Sequence, residues 1–246
     1  MFESATLRHE IPKLDYEREV ATLRTALLAA QRDLATRKPF AVLVLIAGVE
    51  GAGKSETVNL LNEWMDPRFI ETTGFTLPTN EEAVHPPMWR FWRALPPKGR
   101  IGIFFGGWHT APIVQRVTKS IGAGEYDRRV EEILQMERML HDEGVLLLKY
   151  WFHLSKDQQK QRLKTLEKHE AGRVTKADWK NHDLYDDFVR VTEPFLRRTS
   201  SRQAPWMVVP GIEARYRSLF VGRHVLQALE DRLRTGAPAL SPAADV

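Results

Sequence analysis

The chain contains no cysteine. Disulfide bonds, thiolate metal sites and cysteine nucleophiles are therefore excluded. Long hydrophobic runs are also missing, because the longest one, Phe40–Val49, is much shorter than the roughly 20 residues that span a bilayer as a helix. Residues 1–20 carry charges throughout and lack the apolar core of a signal peptide. These absences lead us to expect a cytoplasmic protein without a membrane partner.

Neither sign of charge dominates the composition. Lysine and arginine together number 36, aspartate and glutamate 32, and the net charge is +4. Such a small excess favours an anionic partner only weakly, and the sequence carries no nucleic-acid-binding motif. We therefore expect no nucleic acid among the partners, and the local distribution of charge matters more than its total.

Short apolar runs typical of buried strands alternate with amphipathic segments of helical period. The predicted strands are 40–46, 100–105, 145–152 and 205–209, and the predicted helices are 15–36, 54–64, 125–143, 155–169, 183–198 and 213–233. This alternation favours an α/β fold in which a parallel sheet carries helices on both faces. Pro194 is expected to bend or restart its helix, and the proline-rich stretch 69–98 is predicted to be loop-rich.

The chain shows no internal repeat and no linker that would divide it, so we predict a single domain over residues 39–235. Residues 1–38 are predicted to form an amino-terminal helical extension that packs on this core. Residues 236–246 are predicted to form a disordered tail.

The motif that carries chemistry lies where the first predicted strand ends. Gly48, Gly53, Lys54 and Ser55 match the pattern G-x-x-x-x-G-K-[ST] in full, with a strand before it and a helix after it. The glycines, Gly51 among them, let successive N–H groups point into one concavity that attracts anions, and the helix beginning at Lys54 adds its positive dipole end. Lys54 supplies a charge for terminal phosphates, and Ser55 offers a hydroxyl to Mg²⁺. The sequence therefore predicts a P-loop that holds a chain of phosphates.

Two features of this region depart from the usual P-loop enzyme. Glu50 lies inside the loop, where its carboxylate would position Mg²⁺, accept a proton from a nucleophile or merely face solvent, and the sequence leaves these alternatives open. P-loop enzymes usually hold Mg²⁺ partly through an aspartate at the end of a neighbouring strand, but here that strand ends in Phe105-Gly106-Gly107. Metal binding would then fall to Ser55, Glu50 and the phosphates themselves, or catalysis would be impaired.

Taken as a whole, the chain resembles the polyphosphate kinase 2 family, P-loop phosphotransferases that move a phosphoryl group between inorganic polyphosphate and a nucleotide. The matching segments cover roughly residues 40–230 in the family's order and spacing: LIAGVEGAGKSETVNLLNEWM (45–65), MWRFWRALPPKGRIGIFFGGWH (88–109), ERMLHDEGVLLLKYWFHLSKDQQKQRL (137–163), DWK (178–180) and APW (204–206). The resemblance implies a P-loop kinase-like three-layer sandwich with a helical lid at about residues 170–182.

Carried over residue by residue, the resemblance places Lys54 on phosphates and Lys149 at a position associated with the phosphate-binding site. It makes Arg173 the lid charge that meets the phosphoryl group, and Glu50 stands where active members have an aspartate. Mg²⁺ is the implied cofactor, polyphosphate and AMP, ADP or ATP are the implied substrates, and a homo-oligomer is the implied assembly. Lys149 also interrupts an apolar strand, and because an unpaired buried ammonium is costly, it should face a carboxylate or a phosphate.

One departure narrows the resemblance. Active members carry Asp-Arg-Ser-Trp-Tyr where this chain has Phe-Gly-Gly-Trp-His at residues 105–109, so a metal aspartate and its neighbouring arginine are absent. The absence of these two residues, together with Glu50, makes the chain resemble the amino-terminal half of the two-domain polyphosphate:AMP phosphotransferases. The carboxy-terminal half of those proteins is expected to carry the main activity. Our leading hypothesis is a polyphosphate-dependent nucleotide phosphotransferase whose turnover the missing aspartate would weaken. The alternatives are a non-catalytic polyphosphate- or nucleotide-binding half and an ATP-dependent nucleoside monophosphate kinase.

Other basic and aromatic residues have plainer interpretations as well. The cations of residues 149–180 would neutralise a polyphosphate chain much as cations neutralise a nucleic-acid backbone, although solvation on an exposed helix explains most of them individually. Packing is favoured over base stacking for the large aromatic residues Trp89, Phe91, Trp92 and Trp108. His85 and His109 have no second histidine at metal-ligand spacing and are interpreted as ordinary polar residues.

Overall fold

The computed structural model describes residues 1–7, 9–170 and 172–236. Its strands are β1 (Val42–Gly48), β2 (Ile70–Gly74), β3 (Ile101–Phe105), β4 (Leu146–His153) and β5 (Trp206–Pro210). They form one five-stranded sheet in the order β2-β3-β1-β4-β5, and every neighbouring pair is parallel. β1 is therefore the central strand, and the P-loop that follows it starts from the middle of the sheet.

Helices connect the strands. They are α1 (Lys13–Arg37), α2 (Lys54–Trp64), α3 (Asn80–Ala83), α4 (Trp89–Arg93), α5 (Thr110–Val117), α6 (Ala123–Asp142), α7 (Lys156–His169), α8 (Lys176–Asp183), α9 (Tyr185–Arg198) and α10 (Ala214–Thr235). Short 3-10 helices lie at Glu3–Thr6 and Pro67–Phe69. Among the residues described, no helix is both long and apolar enough to cross a bilayer.

The sheet lies between two helical layers because successive strand residues point to opposite faces. In β1, Val42, Val44 and Ile46 join a core with α1, α2 and α10, whereas Leu43 and Leu45 join a second core with α6 and α9. Burial on both faces explains why the sequence of β1 is apolar without alternation. The predicted α/β three-layer sandwich is confirmed, while the proposed domain boundaries stay predictions.

The four predicted strands are present with ends shifted by at most two residues. β2 corrects the prediction of a loop over residues 69–98. This strand lies at the edge of the sheet, where only Ile70 is buried, and its sequence Ile-Glu-Thr-Thr-Gly shows neither an apolar run nor alternation. Its place in the sheet therefore depends on the neighbouring strand β3 and not on its own pattern.

The long helices are confirmed, and α8 lies within the helical lid that the resemblance implies, but three short helices were not predicted: α3, α4 and α5. None of these three exceeds 8 residues, which is too short for a clear amphipathic period. α9 continues through Pro194, so the expected restart is wrong. Packing of Phe195 and Leu196 in the core stabilises the helix across the missing backbone donor. Apart from Gly236, the predicted disordered tail lies outside the described residues.

Candidate active site

The P-loop turns from the carboxyl end of β1 into α2. Gly48 has a φ of 139°, and a Cβ atom at this position would lie 2.1 Å from the carbonyl oxygen of Phe152 on β4. Only glycine lets the two backbones approach so closely. Gly53, with a φ of 84°, precedes the first residue of α2. The first N–H groups of that helix are therefore turned toward the loop.

Lys54 is the first residue of α2, and its side chain folds back over the loop. Its Nζ donates to the carbonyl oxygens of Gly48 at 2.7 Å and Val49 at 3.0 Å, and lies 3.3 Å from Oε2 of Glu50. The Lys54 side chain is 12% exposed, whereas that of Glu50 is 41% exposed. The ammonium is thus held inside the loop, with a solvent-accessible carboxylate beside it.

A cavity of about 140 Å³, here termed the P-loop cavity, lies over the loop. One of its walls is the P-loop itself, from Glu50 to Glu56. The facing wall comes from α7, the segment after it and the start of α8: Leu163, Leu166, Arg173, Val174 and Asp178. The predicted site residues Glu50, Lys54, Ser55 and Arg173 therefore surround one space. Cations and helix amides that converge in this way suit a polyanion.

Arg173 is carried by the segment between α7 and α8. It forms a loose ion pair with Glu170, with 3.6 Å between Nε and Oε2. The following helix begins with a capping box, in which Asp178 accepts from the amide of Thr175 at 2.6 Å and Thr175 accepts from the amide of Asp178. The capping box anchors the end of the segment beside the P-loop, while a partly exposed ion pair leaves Arg173 free to change partner.

A second cavity of about 280 Å³, here termed the apolar cavity, shares Glu50, Lys54 and Phe105 with the first. Most of its walls are aromatic or aliphatic: Phe75, Phe105, Ile113, Val114, Trp151, Tyr185 and Phe188. Phe105 ends β3 and pairs in register with Ile46 of β1. A phenyl ring therefore borders the P-loop on the side where many P-loop enzymes place a metal-binding aspartate.

Two buried polar residues line the apolar cavity, and the sequence singled out neither of them as a site residue. His109 is 2% exposed, and among the described residues its Nδ1 has no hydrogen-bond partner. Burial, aided by the charges of Lys149 and Lys54, lowers the pKa of His109 to about 3, so the imidazole is neutral. Gln159 donates to the carbonyl oxygen of Glu50 at 3.2 Å. No motif marks either residue, because each acquires its surroundings only through the fold.

Lys149 does not reach the P-loop. It is fully buried in β4, where its Nζ lies 2.6 Å from Oε2 of Glu137 on α6 and donates to the carbonyl oxygen of Thr199 at 2.6 Å. Glu137 also accepts from Nε1 of Trp108 at 3.1 Å. The sequence predicted that Lys149 faces either a carboxylate or a phosphate, and in the structure its partner is the carboxylate of Glu137. The phosphate-binding role of Lys149 is therefore corrected to that of a buried ion pair.

The aromatic residues before and after β3 mostly pack, as predicted. Phe91 and Trp108 are 7% and 3% exposed, and their rings meet edge to face with 5.7 Å between centroids. Trp89 stacks on His85 at 3.9 Å. Trp92 is 42% exposed, so the prediction of packing is wrong for this residue. None of these four aromatic residues lines either of the two cavities described here.

Within the described ranges, no group of three or more histidine, aspartate or glutamate residues could hold a metal ion. Glu50 and Ser55 nevertheless both line the P-loop cavity and offer oxygen atoms, the ligands that Mg²⁺ prefers. Mg²⁺ commonly binds through one or two carboxylates together with substrate phosphates and water. These two residues therefore fit a metal ion that is held mainly by phosphates, but not one that is enclosed by protein ligands alone.

The parallel sheet, the P-loop at the end of its central strand and the arginine-bearing segment above it define a P-loop protein of the kinase-like class. The family model described as Polyphosphate kinase 2 matches residues 10–236. The chain belongs to the polyphosphate kinase 2 family, which confirms the resemblance seen in the sequence.

Solved structures agree with this assignment. A putative polyphosphate kinase 2 from Pseudomonas aeruginosa PA01 superposes with a TM-score of 0.87 at 51% identity, covering 95% of this chain and 48% of its own. Polyphosphate kinase 2 from Arthrobacter aurescens TC1 also gives a TM-score of 0.87, at 26% identity, covering 99% of this chain and 87% of its own.

Curated relatives give the same family. The chain is 52% identical to a polyphosphate:AMP phosphotransferase of Pseudomonas aeruginosa over 96% of its length, and 48% identical to that of Pseudomonas syringae pv. tomato over 98%. It spans 48% and 49% of those two proteins, about half of each. An AMP/ADP-polyphosphate phosphotransferase of Meiothermus ruber is 30% identical over 86% of this chain and 80% of its own length.

Proposed function

We propose that the chain is a polyphosphate-dependent nucleotide phosphotransferase, which moves a phosphoryl group between inorganic polyphosphate and AMP or ADP. The observation that carries this proposal is the convergence of Lys54, Ser55, Glu50 and Arg173 on the P-loop cavity. Phosphoryl transfer depends mainly on positioning and on charge stabilisation, and these groups supply both. The names of the relatives supply the substrate class, because they specify polyphosphate with AMP or ADP.

In the proposed reaction, an oxygen of the acceptor phosphate forms a bond to the terminal phosphorus of polyphosphate. The bridging P–O bond to the rest of the chain breaks, and the shortened chain leaves with that electron pair. Lys54 and the P-loop amides offset negative charge on the transferred group. Arg173 adds a second cation from the segment 170–182, whose closure over the cavity would exclude water.

We propose Mg²⁺ as the cofactor, with the hydroxyl of Ser55 and the carboxylate of Glu50 as its protein ligands. When bound, it would neutralise phosphate charge. Phe105 offers no ligand at the end of β3, so the protein would hold the ion through fewer groups than a P-loop enzyme with an aspartate there. We therefore expect slow turnover.

Two further proposals concern the setting of the reaction. A cytoplasmic location suits nucleotide substrates, and the family resemblance implies a homo-oligomer. Light scattering after size-exclusion chromatography would measure the assembly, and cell fractionation would measure the location. Both stay predictions.

Incubation of the purified chain with polyphosphate, Mg²⁺ and AMP or ADP tests the main proposal, with the nucleotide products separated by chromatography. We expect ADP or ATP to form slowly. Lys54→Ala should reduce the rate by about 100-fold or more, because removing one preorganised donor from a developing charge has an effect of that size. Lys98→Ala is the matched control, since it removes the same charge from an exposed loop before β3 and should leave the rate unchanged.

If the wild-type chain bound polyphosphate through Lys54 without transferring phosphate, the proposal that the chain is a phosphotransferase would be contradicted. That result would support the alternative of a non-catalytic binding half. Phosphate transfer gained in a Phe105→Asp/Gly106→Arg variant would then locate the defect at the end of β3.

A further inference from the structure

Glu56 lies in the first turn of α2, and its carboxylate is shared by two arginines from different helices. Oε1 lies 2.6 Å from Nη2 of Arg162 on α7, and Oε2 contacts Nη2 of Arg217 on α10. Glu56 follows Ser55 directly and lines the P-loop cavity. Glu56 thus links an Arg–Glu–Arg cluster to the space in which phosphates are proposed to bind, and the two arginines lie behind it, outside the lining of that space.

Arg217 is the fixed member of this cluster. Its side chain is 2% exposed, and Nη1 donates to the carbonyl oxygen of Gly211 at 2.6 Å. A Cβ atom on Gly53 would lie 2.1 Å from Cζ of Arg217, so the guanidinium fills the space against the P-loop. Burial lowers the pKa of Arg217, and the contact with Glu56 opposes that shift. Separation from Glu56 would leave Arg217 as an unpaired buried charge, which is strongly unfavourable.

Arg162 is the partly exposed member of the cluster. Its side chain is 38% exposed, and its Cγ lies 3.2 Å from the point that a Cβ atom on Gly51 would occupy. The side chain therefore runs alongside the P-loop, and α7 continues into the segment that carries Arg173. A partly exposed ion pair is weak because water competes for both charges. A phosphate in the P-loop cavity, with more charge and more acceptor oxygens, would compete well with Glu56 for Arg162.

We propose that Glu56 is an internal anion that occupies Arg162 and lowers the affinity of the P-loop cavity for polyphosphate. The inference rests on the proposed function in one respect, namely that this cavity binds phosphates. Glu56 acts through its negative charge, which repels a polyanion, and through its hydrogen bond, which withholds Arg162. On phosphate binding, Arg162 changes partner while Arg217 keeps Glu56 in place. Glu56 is therefore a residue that sets affinity, not a catalytic residue.

Isothermal titration calorimetry with inorganic tripolyphosphate tests this inference on the wild-type chain and on Glu56→Gln. The amide keeps the shape of the side chain and an acceptor oxygen while it removes the charge. We expect Glu56→Gln to bind tripolyphosphate about five- to tenfold more tightly at low ionic strength, with a smaller gain at high salt. A merely structural role of Glu56 predicts unchanged or weaker binding, and that result would overturn the inference.

Two comparisons isolate the cause. Glu19→Gln is the matched control, because it removes the same charge from an ion pair with Arg223 between α1 and α10 and should leave the affinity unchanged. Arg162→Gln should weaken binding, and the gain from Glu56→Gln should be smaller in that background, since no Arg162 is left to release. If Glu56→Gln raised the affinity for tripolyphosphate equally in the wild type and in Arg162→Gln, the proposed move of Arg162 from Glu56 to phosphate would be overturned.

Failure of the inference is distinguishable from failure of the proposed function. If the wild type binds tripolyphosphate and Lys54→Ala weakens that binding, but Glu56→Gln does not tighten it, only the inference is overturned. If neither the wild type nor Glu56→Gln binds, both are overturned. Thermal unfolding followed by circular dichroism verifies the fold of each variant. Should Glu56→Gln not fold, Arg162→Gln decides, because it preserves the Glu56–Arg217 contact, and an unchanged affinity would then contradict the inference.

Discussion

At the scale of single residues, charged groups of this protein pair between different elements of the fold. Lys149 of β4 pairs with Glu137 of α6, and Glu56 of α2 pairs with Arg217 of α10. A lysine within an apolar strand indicates that some anionic partner exists, because an unpaired buried charge is costly. It does not indicate which one, so the choice between Glu137 and a phosphate required the fold.

The first prediction at this scale concerns the buried ion pair. Burial raises the pKa of Glu137 and lowers the pKa of Lys149, and the contact of 2.6 Å between them opposes both shifts. Lys149→Met leaves the carboxylate without its cation and should lower the free energy of unfolding by about 3–5 kcal/mol. Urea denaturation followed by circular dichroism measures this loss.

The double variant Lys149→Met/Glu137→Leu is the control, and it should recover much of the loss because neither charge is then buried alone. In the single variant, Glu137 has a higher pKa folded than unfolded, so the folded state binds more protons. The stability of Lys149→Met should therefore fall as pH rises above the unfolded value of about 4.3. A single variant as stable as the wild type would contradict the buried pair.

At the scale of elements, the site depends on the close approach of β1 and β4. Gly48 pairs with Phe152 where the P-loop leaves the sheet. The glycine spacing of the motif is recognisable in the sequence because its conformation is local. The edge strand β2 is not recognisable, because its five residues are mostly exposed and their strand conformation depends on pairing with β3.

The substitution Gly48→Ala tests the close approach of β1 and β4. The added Cβ would lie 2.1 Å from the carbonyl oxygen and 2.6 Å from the nitrogen of Phe152, so backbone has to move. We expect a loss of about 2 kcal/mol or more in the free energy of unfolding, together with loss of tripolyphosphate binding. Thermal denaturation and calorimetric titration measure the two effects.

Gly124→Ala in α6 is the matched control. No atom lies within 4 Å of its Cβ position, and the residue is helical. Alanine there should be neutral or should stabilise by about 0.5–1 kcal/mol, with binding unchanged. If Gly48→Ala were to behave like Gly124→Ala, the close approach of the two strands would be refuted.

At the scale of the whole molecule, the fold buries His109 and His153 from separate elements as neutral imidazoles. Burial lowers the pKa of His109 to about 3 and that of His153 to about 4, and it also lowers the pKa of His224. In the unfolded chain each titrates near 6.5. Below that pH the unfolded chain therefore binds more protons than the folded one.

The free energy of unfolding should accordingly fall as pH decreases below about 6.5. His109 alone should contribute a loss of roughly 1.6 kcal/mol between about pH 6.5 and pH 5, because the unfolded imidazole is half protonated at pH 6.5 and the slope approaches 1.36 kcal/mol for each unit only below that pH. Urea denaturation over this range measures the slope. His109→Asn should make the slope shallower, whereas His169→Asn, at an exposed position at the end of α7, should not. Identical slopes in the wild type and in His109→Asn would contradict the burial of a neutral His109.

The sequence by itself determined the four buried strands, the long helices, the P-loop and the family, because each is recorded in a pattern of neighbouring residues. Only the tertiary structure decided that Lys149 pairs with Glu137, that His109 is buried at the cavity that Lys54 also lines, and that β2 joins the sheet. It also decided that Arg162 and Arg217 meet at Glu56 beside the P-loop. Local patterns specify the conformation of short segments, whereas contacts between distant residues depend on how the helical layers pack on the sheet.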